Sequence, residues 1–139
     1  MAGIQWGANL SNKFLTLDMD PVPKGRPRFT RTGHAFTDKK TLQAEAAIRN
    51  AALAEWGKKP FEGAVELVIQ FTFKKPKSNK KNLHTQRPDL DNCAKLVSDA
   101  INGIAFVDDS QVISLACTKG WGEAGKIVLV VDEVGNGSR

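Results

Sequence analysis

Cysteine and histidine are scarce, with two of each in 139 residues. Cys93 and Cys117 lie far apart without a neighbour at metal-ligand spacing, and neither His34 nor His84 joins a His/Cys set. Zinc fingers and zinc hydrolases are thereby excluded. Both cysteines sit in apolar patterns that predict burial as small hydrophobes. No serine, histidine or cysteine constellation competes as a nucleophile. The absence of a glycine-rich phosphate cradle argues against a phosphohydrolase for small nucleotides.

Long apolar runs are missing too. The longest aliphatic run, residues 127–131, is far short of the roughly 18 residues of a membrane span. The first residues carry neither a positive n-region nor an apolar h-region, so a cytoplasmic location without membrane association is expected. No internal repeat or low-complexity linker divides the chain. The sequence therefore predicts an N-terminal extension at 1–12, one domain over 13–134, and a flexible tail at 135–139.

Positive charge, by contrast, is abundant: the net charge is +5 and the pI about 9.4, which favours an anionic partner. Residues 22–40 hold Lys24, Arg26, Arg28, Arg31, Lys39 and Lys40 against the single acid Asp38. Residues 74–87 hold Lys74, Lys75, Lys77, Lys80, Lys81 and Arg87 with no acid. Both clusters fall where proline, glycine, serine and asparagine predict loops.

Between these clusters the periodicity resolves elements. A strand is expected near 13–19. A helix follows at about 38–56, capped by Thr37 or Asp38, with Ala44, Ala47, Ile48 and Ala51 as its apolar stripe and Gly57 as its stop. Residues 64–73 alternate as a strand with one wet face. A second helix at 90–102 places Cys93, Leu96, Val97, Ala100, Ile101 and Ile104 on one side, with Gly103 just past its end. Apolar runs near 111–119 and 126–133, joined by a glycine-rich link, predict an antiparallel hairpin. The order β-α-β-α-β-β predicts an α+β single domain with helices on one face of a mixed sheet.

The chemistry is concentrated at Pro88, Asp89, Asp91 and Lys95. Pro88 makes the chain enter extended, so Asp89 and Asp91, two residues apart, can point the same way. Lys95 then stands one helical turn above Asp91 on the polar stripe that also holds Ser98 and Asn102. One aspartate before a helix is an ordinary cap. A second beside it adds like-charge repulsion that a cation would relieve. Asp108 and Asp109 also suit a turn, since aspartate favours turns. Magnesium takes hard oxygen ligands, usually one or two carboxylates plus waters and substrate phosphate. Asp89, Asp91 and one of Asp108 and Asp109 would supply such a set, with Lys95 stabilising transition-state charge on a phosphodiester.

The ordered segments extend this reading. They comprise Pro21, Pro23, Lys24, Gly25, Arg26, Pro27 and Arg28, then Pro88, Asp89, Asp91, Asn92 and Lys95. Asp99, Asn102 and Gly103 follow, and then Asp108, Asp109, Gln111, Val112 and Lys119. Over about residues 14–132 the chain resembles the RusA family of Holliday-junction resolvases, often borne by phages and prophages. The resemblance implies that Asp89, Asp91 and Asp109 are metal ligands, with Asp108 the alternative to Asp109, and that Lys95 joins them in catalysis. It implies magnesium as cofactor, with manganese able to substitute. It also implies a homodimer that nicks opposing strands of four-way DNA junctions in recombination and repair. Lys24, Arg26, Arg28, Lys74, Lys75, Lys77, Lys80 and Lys81 would engage DNA phosphates, with Pro23 and Pro27 stiffening the first loop. Two departures are the first dozen residues and Cys93, where the pattern more often has leucine.

A dimer also follows from the substrate, because paired symmetric cuts need two sites related by a two-fold axis. The competing reading is a non-catalytic, structure-selective DNA-binding protein in which the aspartates only cap and turn. Both readings predict salt-sensitive DNA affinity, and magnesium-dependent cleavage separates them.

Overall fold

A single strand organises the molecule. β4 (Ala64–Lys74) carries Val65, Leu67, Ile69 and Phe71 on one face, all buried, because alternation sends these apolar side chains to one side of the pleat. In the computed structural model, which describes residues 12–26 and 28–135, β4 is flanked on both sides within a four-stranded sheet. The expected extension and tail lie outside the described residues, apart from Asn12 and Gly135 at strand ends, as does Pro27.

The remaining elements are β1 (Asn12–Leu17), the short pair β2 (Arg28–Phe29) and β3 (Ala35–Phe36), α1 (Lys39–Trp56), α2 (Leu90–Ile101), a 3-10 turn (Asp109–Gln111), β5 (Val112–Gly122) and β6 (Lys126–Gly135). The main sheet has the order β1-β6-β4-β5, antiparallel except for the parallel β4–β5 pair. The architecture is thus α+β, a single domain with two helices packed on a mixed sheet.

The register sets Leu15, Leu17, Ile127, Leu129 and Val131 on the same face as the buried residues of β4, under the helices. The opposite face carries Phe14, Val68, Gln70 and Val130, none of them fully buried. α2 packs onto the covered face through Cys93, Leu96, Val97, Ala100 and Ile101, all of which the sequence periodicity had singled out. Gly103 follows at φ 84, the left-handed conformation that glycine adopts without strain. Phe106, fully buried, closes the end of the core, where truncation to alanine would cost about 3–5 kcal/mol.

Three expectations need correction. The strands near 111–119 and 126–133 form no hairpin with each other: β5 pairs parallel with β4, and β6 lies on the other side of β4. The link at 123–125 steps over the end of β4, and its reach of about 13 Å exceeds two strand spacings of about 4.8 Å. β6, apolar and buried at Ile127, Leu129 and Val131, takes a central position, while β5, with Ser114, Thr118 and Lys119, takes the edge. On α1 the buried stripe is Thr41, Ala44, Ile48 and Ala52, whereas Ala47 is exposed and Ala51 half-buried. Six alanines in 18 residues make almost any face look apolar, so the pattern alone chose the wrong neighbours. Finally, the basic segment 22–40 is not all loop, because Arg28 and Phe29 pair with Phe36 and Ala35 as a small two-stranded arm.

Candidate active site

Two places supply most of the site, the head of α2 and the turn leading into β5. Asp89 occupies the N-cap position of α2 with extended backbone (φ −70, ψ 139), yet its side chain makes no capping hydrogen bond. Asp91 lies in the first turn and is exposed. α1 shows what an ordinary cap looks like: Asp38 accepts the Thr41 backbone N–H at 2.8 Å and its hydroxyl at 3.1 Å. That backbone hydrogen bond is the main reason the Asp38 carboxyl is held below its usual range.

The doubled aspartate is divided by the same criterion. Asp108 caps the 3-10 turn, its carboxylate accepting the Ser110 N–H at 3.0 Å, while Gln111 Oε1 accepts the Asp108 N–H at 2.8 Å. The hydrogen bonds from Ser110 lower the Asp108 carboxyl. Asp109 has no such task. It lines a cavity of about 560 Å³ together with Asp91, Lys95 and Asp99. Leu90, Ala94, Leu115 and Cys117 give this cavity an apolar wall.

Gln111 holds the turn in place. Its Nε2 donates to the carbonyls of Phe61 and Gly63, both at 2.8 Å, and Phe61 is itself tied to the chain ahead of the turn through Ala105 and Val107. Three of the four hydrogen bonds this amide can make thus go into seating the turn that carries Asp109. Lys119 does a similar service for Asp89, since its Nζ donates to the carbonyls of Gln86 at 2.6 Å and Pro88 at 2.9 Å.

Lys24 is spent inside the protein. Its Nζ pairs with Glu45 and, at 3.2 Å, with Asp99, and its backbone N–H donates to Asn92 at 2.9 Å. Burial pulls the Lys24 ammonium down, but the hydrogen bonds to Glu45 and Asp99 outweigh it and hold the group above its ordinary value. Asp99 also faces Lys95 at 3.8 Å, an i, i+4 pair. These are the ion pairs among the described residues, and none involves Asp89, Asp91, Asp109, Arg26, Arg28 or the lysines at 74–81. Arg26, Arg28, Lys74, Lys77, Lys80 and Lys81 are exposed, and Lys75 is half-buried.

The three candidate carboxylates are not gathered at one point. Asp91 and Asp109 share the cavity described above, whereas Asp89 lines a neighbouring one of about 540 Å³ with Lys24, Arg26 and Arg87. Among the described residues no group of three or more His, Cys, Asp or Glu stands close enough to hold a metal ion. A hydrated magnesium needs less, since one or two carboxylates plus waters and a phosphate complete its shell. Asp91 and Asp109 meet that need chemically. The cysteines do not compete: burial pushes the Cys93 thiol up to about 11, and burial together with the Asp91 charge raises Cys117.

The sequence motifs contain Gln111, Asp99 and Lys119 but assign them no role. Asp99 had a readable signal in its i, i+4 spacing from Lys95, and Gln111 in its capping-box spacing from Asp108. Lys119 and the Nε2 of Gln111 reach carbonyls more than 30 residues away in sequence.

The family model described as Endodeoxyribonuclease RusA matches residues 18–132. The chain is also similar to the uncharacterized protein YqaN of Bacillus subtilis (strain 168), 40% identical over 62 residues. That match covers 44% of each chain, so it spans less than half the length of this relative.

Proposed function

The chain belongs to the RusA endodeoxyribonuclease family, and from that premise we propose a magnesium-dependent endonuclease that resolves four-way DNA junctions by paired, symmetric nicks. The supporting observation is the sorting of the acids. Asp38 and Asp108 cap, Asp99 is ion-paired, and Asp89, Asp91 and Asp109 have no structural partner among the described residues. Asp91 and Asp109, unpaired and lining one cavity between a helix head and a tied-down turn, would repel each other unless a cation neutralised them.

Asp91 and Asp109 would hold the ion from one cavity, and Asp89 would join them only by turning out of the neighbouring one. Magnesium, or manganese in its place, supplies Lewis acidity toward the phosphate and lowers the pKa of a bound water when present. Lys95 stabilises the negative charge that grows on the phosphoryl oxygens, and Asp99 holds the ammonium on that side of the helix. Leu90, Ala94 and Leu115 limit water on one side, which strengthens these interactions. Arg26, Arg28, Lys74, Lys75, Lys77, Lys80 and Lys81 bind backbone phosphates. Lys24 organises the site through Glu45 and Asp99. A homodimer presents two such sites with the symmetry of a junction.

The test is a labelled four-way junction and a matched linear duplex, each incubated with the purified protein with and without magnesium. Paired nicks in the junction alone, only with metal, are expected. Junction binding with no cleavage at any metal concentration would leave a DNA-binding protein and overturn the enzyme reading.

A further inference from the structure

The arm formed by β2 and β3 carries chemistry that phosphate binding does not use. It consists of two residues on each strand, with Arg28 opposite Phe36 and Phe29 opposite Ala35. Its tip closes through Thr30 N–H to the His34 carbonyl at 2.9 Å and Gly33 at φ 86. Phe29 is 69% exposed and Phe36 47%, and neither packs against the core. Because directly opposed residues share a face of a ladder and successive residues alternate, the two rings lie on opposite faces of the arm. Arg28 accompanies Phe36 on its face, and Arg26 and Arg31 flank the strands.

The root of the arm is fixed at the rim of the active site. Lys24 N–H donates to the Asn92 carbonyl and Gly25 N–H to the Thr41 hydroxyl at 3.1 Å. A side chain at Gly25 would strike the Asp38 carboxylate, so the close approach to α1 requires glycine. Arg26, the next residue, lines the same cavity as Asp89. The arm therefore springs from beside the rim of the cavity that holds Asp89.

We propose that the β2–β3 arm is a wedge that stacks Phe29 and Phe36 against bases at the branch point of a four-way junction. Aromatic rings bind the π-faces of bases without regard to sequence, and adjacent arginines neutralise the flanking phosphates. A ring on each face suits insertion between two base-pair stacks. In continuous duplex such insertion must first unstack a base step, whereas at a branch point the stacking is already interrupted. The arm would thus contribute to preference for junctions over duplex. This inference rests on the junction reading above.

The experiment uses D91N protein, to bind without cutting, and junctions carrying 2-aminopurine either at the branch point or within an arm. The parent should prefer junction over duplex and raise the branch-point fluorescence severalfold while leaving the arm probe unchanged. Adding F29A and F36A should remove at least half of that rise and reduce the junction preference about tenfold, with thermal stability retained because neither ring is in the core. The F29W/F36W variant should restore both. An unchanged fluorescence rise and preference in the doubly substituted protein would overturn the wedge alone. A parent without any preference for the junction would overturn the junction reading and the wedge with it.

Discussion

Asp108 gives its carboxylate to the backbone of its own turn, while Asp109, the next residue, lines the cavity that holds Asp91 and Lys95. Adjacent and chemically identical, the two acids are therefore expected to respond oppositely to the same change. Asn keeps the acceptor that a cap requires, so D108N should retain cleavage within a fewfold of the parent. Asn loses the charge that a metal ligand requires, so D109N should lose on the order of 10²-fold or more in kcat, since metal Lewis acidity is worth several kcal/mol. Single-turnover cleavage of a junction by the two variants checks this; similar losses in both would remove the distinction.

Gln111 acts on Asp109 through the main chain. Q111A removes two hydrogen bonds to carbonyls and one from the Asp108 N–H, each worth about 1 kcal/mol net. The turn should loosen, and the magnesium concentration for half-maximal cleavage should rise about tenfold, with much of the rate recovered at high metal. Metal titrations on Q111A and on the parent decide the matter. A lower melting temperature with an unchanged metal requirement would show that Gln111 serves stability alone.

The basic loop before α2 carries its own pH dependence. His84 is buried, stacked on Trp121 with ring centroids 3.9 Å apart and meeting Phe73 edge-on at 4.6 Å. Its Nδ1 has no hydrogen-bond partner. Burial, reinforced by the nearby Lys119 charge, lowers its pKa from 6.5. The unfolded chain therefore gains the proton at a higher pH than the folded chain does. Stability from this group is complete above about pH 6.5, falls as the pH drops through that value, and levels off below the folded-state pKa. Melting temperatures at pH 7.5 and 5 should fall further for the parent than for H84F; equal slopes would contradict the assignment.

Much of this arrangement could be read from the chain. α2 was legible because six apolar positions repeat with helical spacing and a glycine ends the run, and its polar side carries Asp91 and Lys95 for the same reason. β4 was legible from its alternation. The partner of β5 was not, because periodicity tells which face of a strand is apolar and nothing about which strand lies beside it. β2 and β3 are too short to show a period. The choice between Asp108 and Asp109 needed the hydrogen bond to Ser110, and the separation of Asp89 from Asp91 and Asp109 needed the cavities.

Asp91 bears most directly on the whole account, since it stands in the cavity with Asp109, Lys95 and the apolar wall. The decisive measurement is the rate of junction cleavage by D91N beside its affinity for the same junction, at saturating magnesium. Loss of cleavage with binding kept or tightened is predicted, because removing a negative charge relieves repulsion of phosphate. Undiminished cutting by D91N would contradict a metal-assisted site built on Asp91.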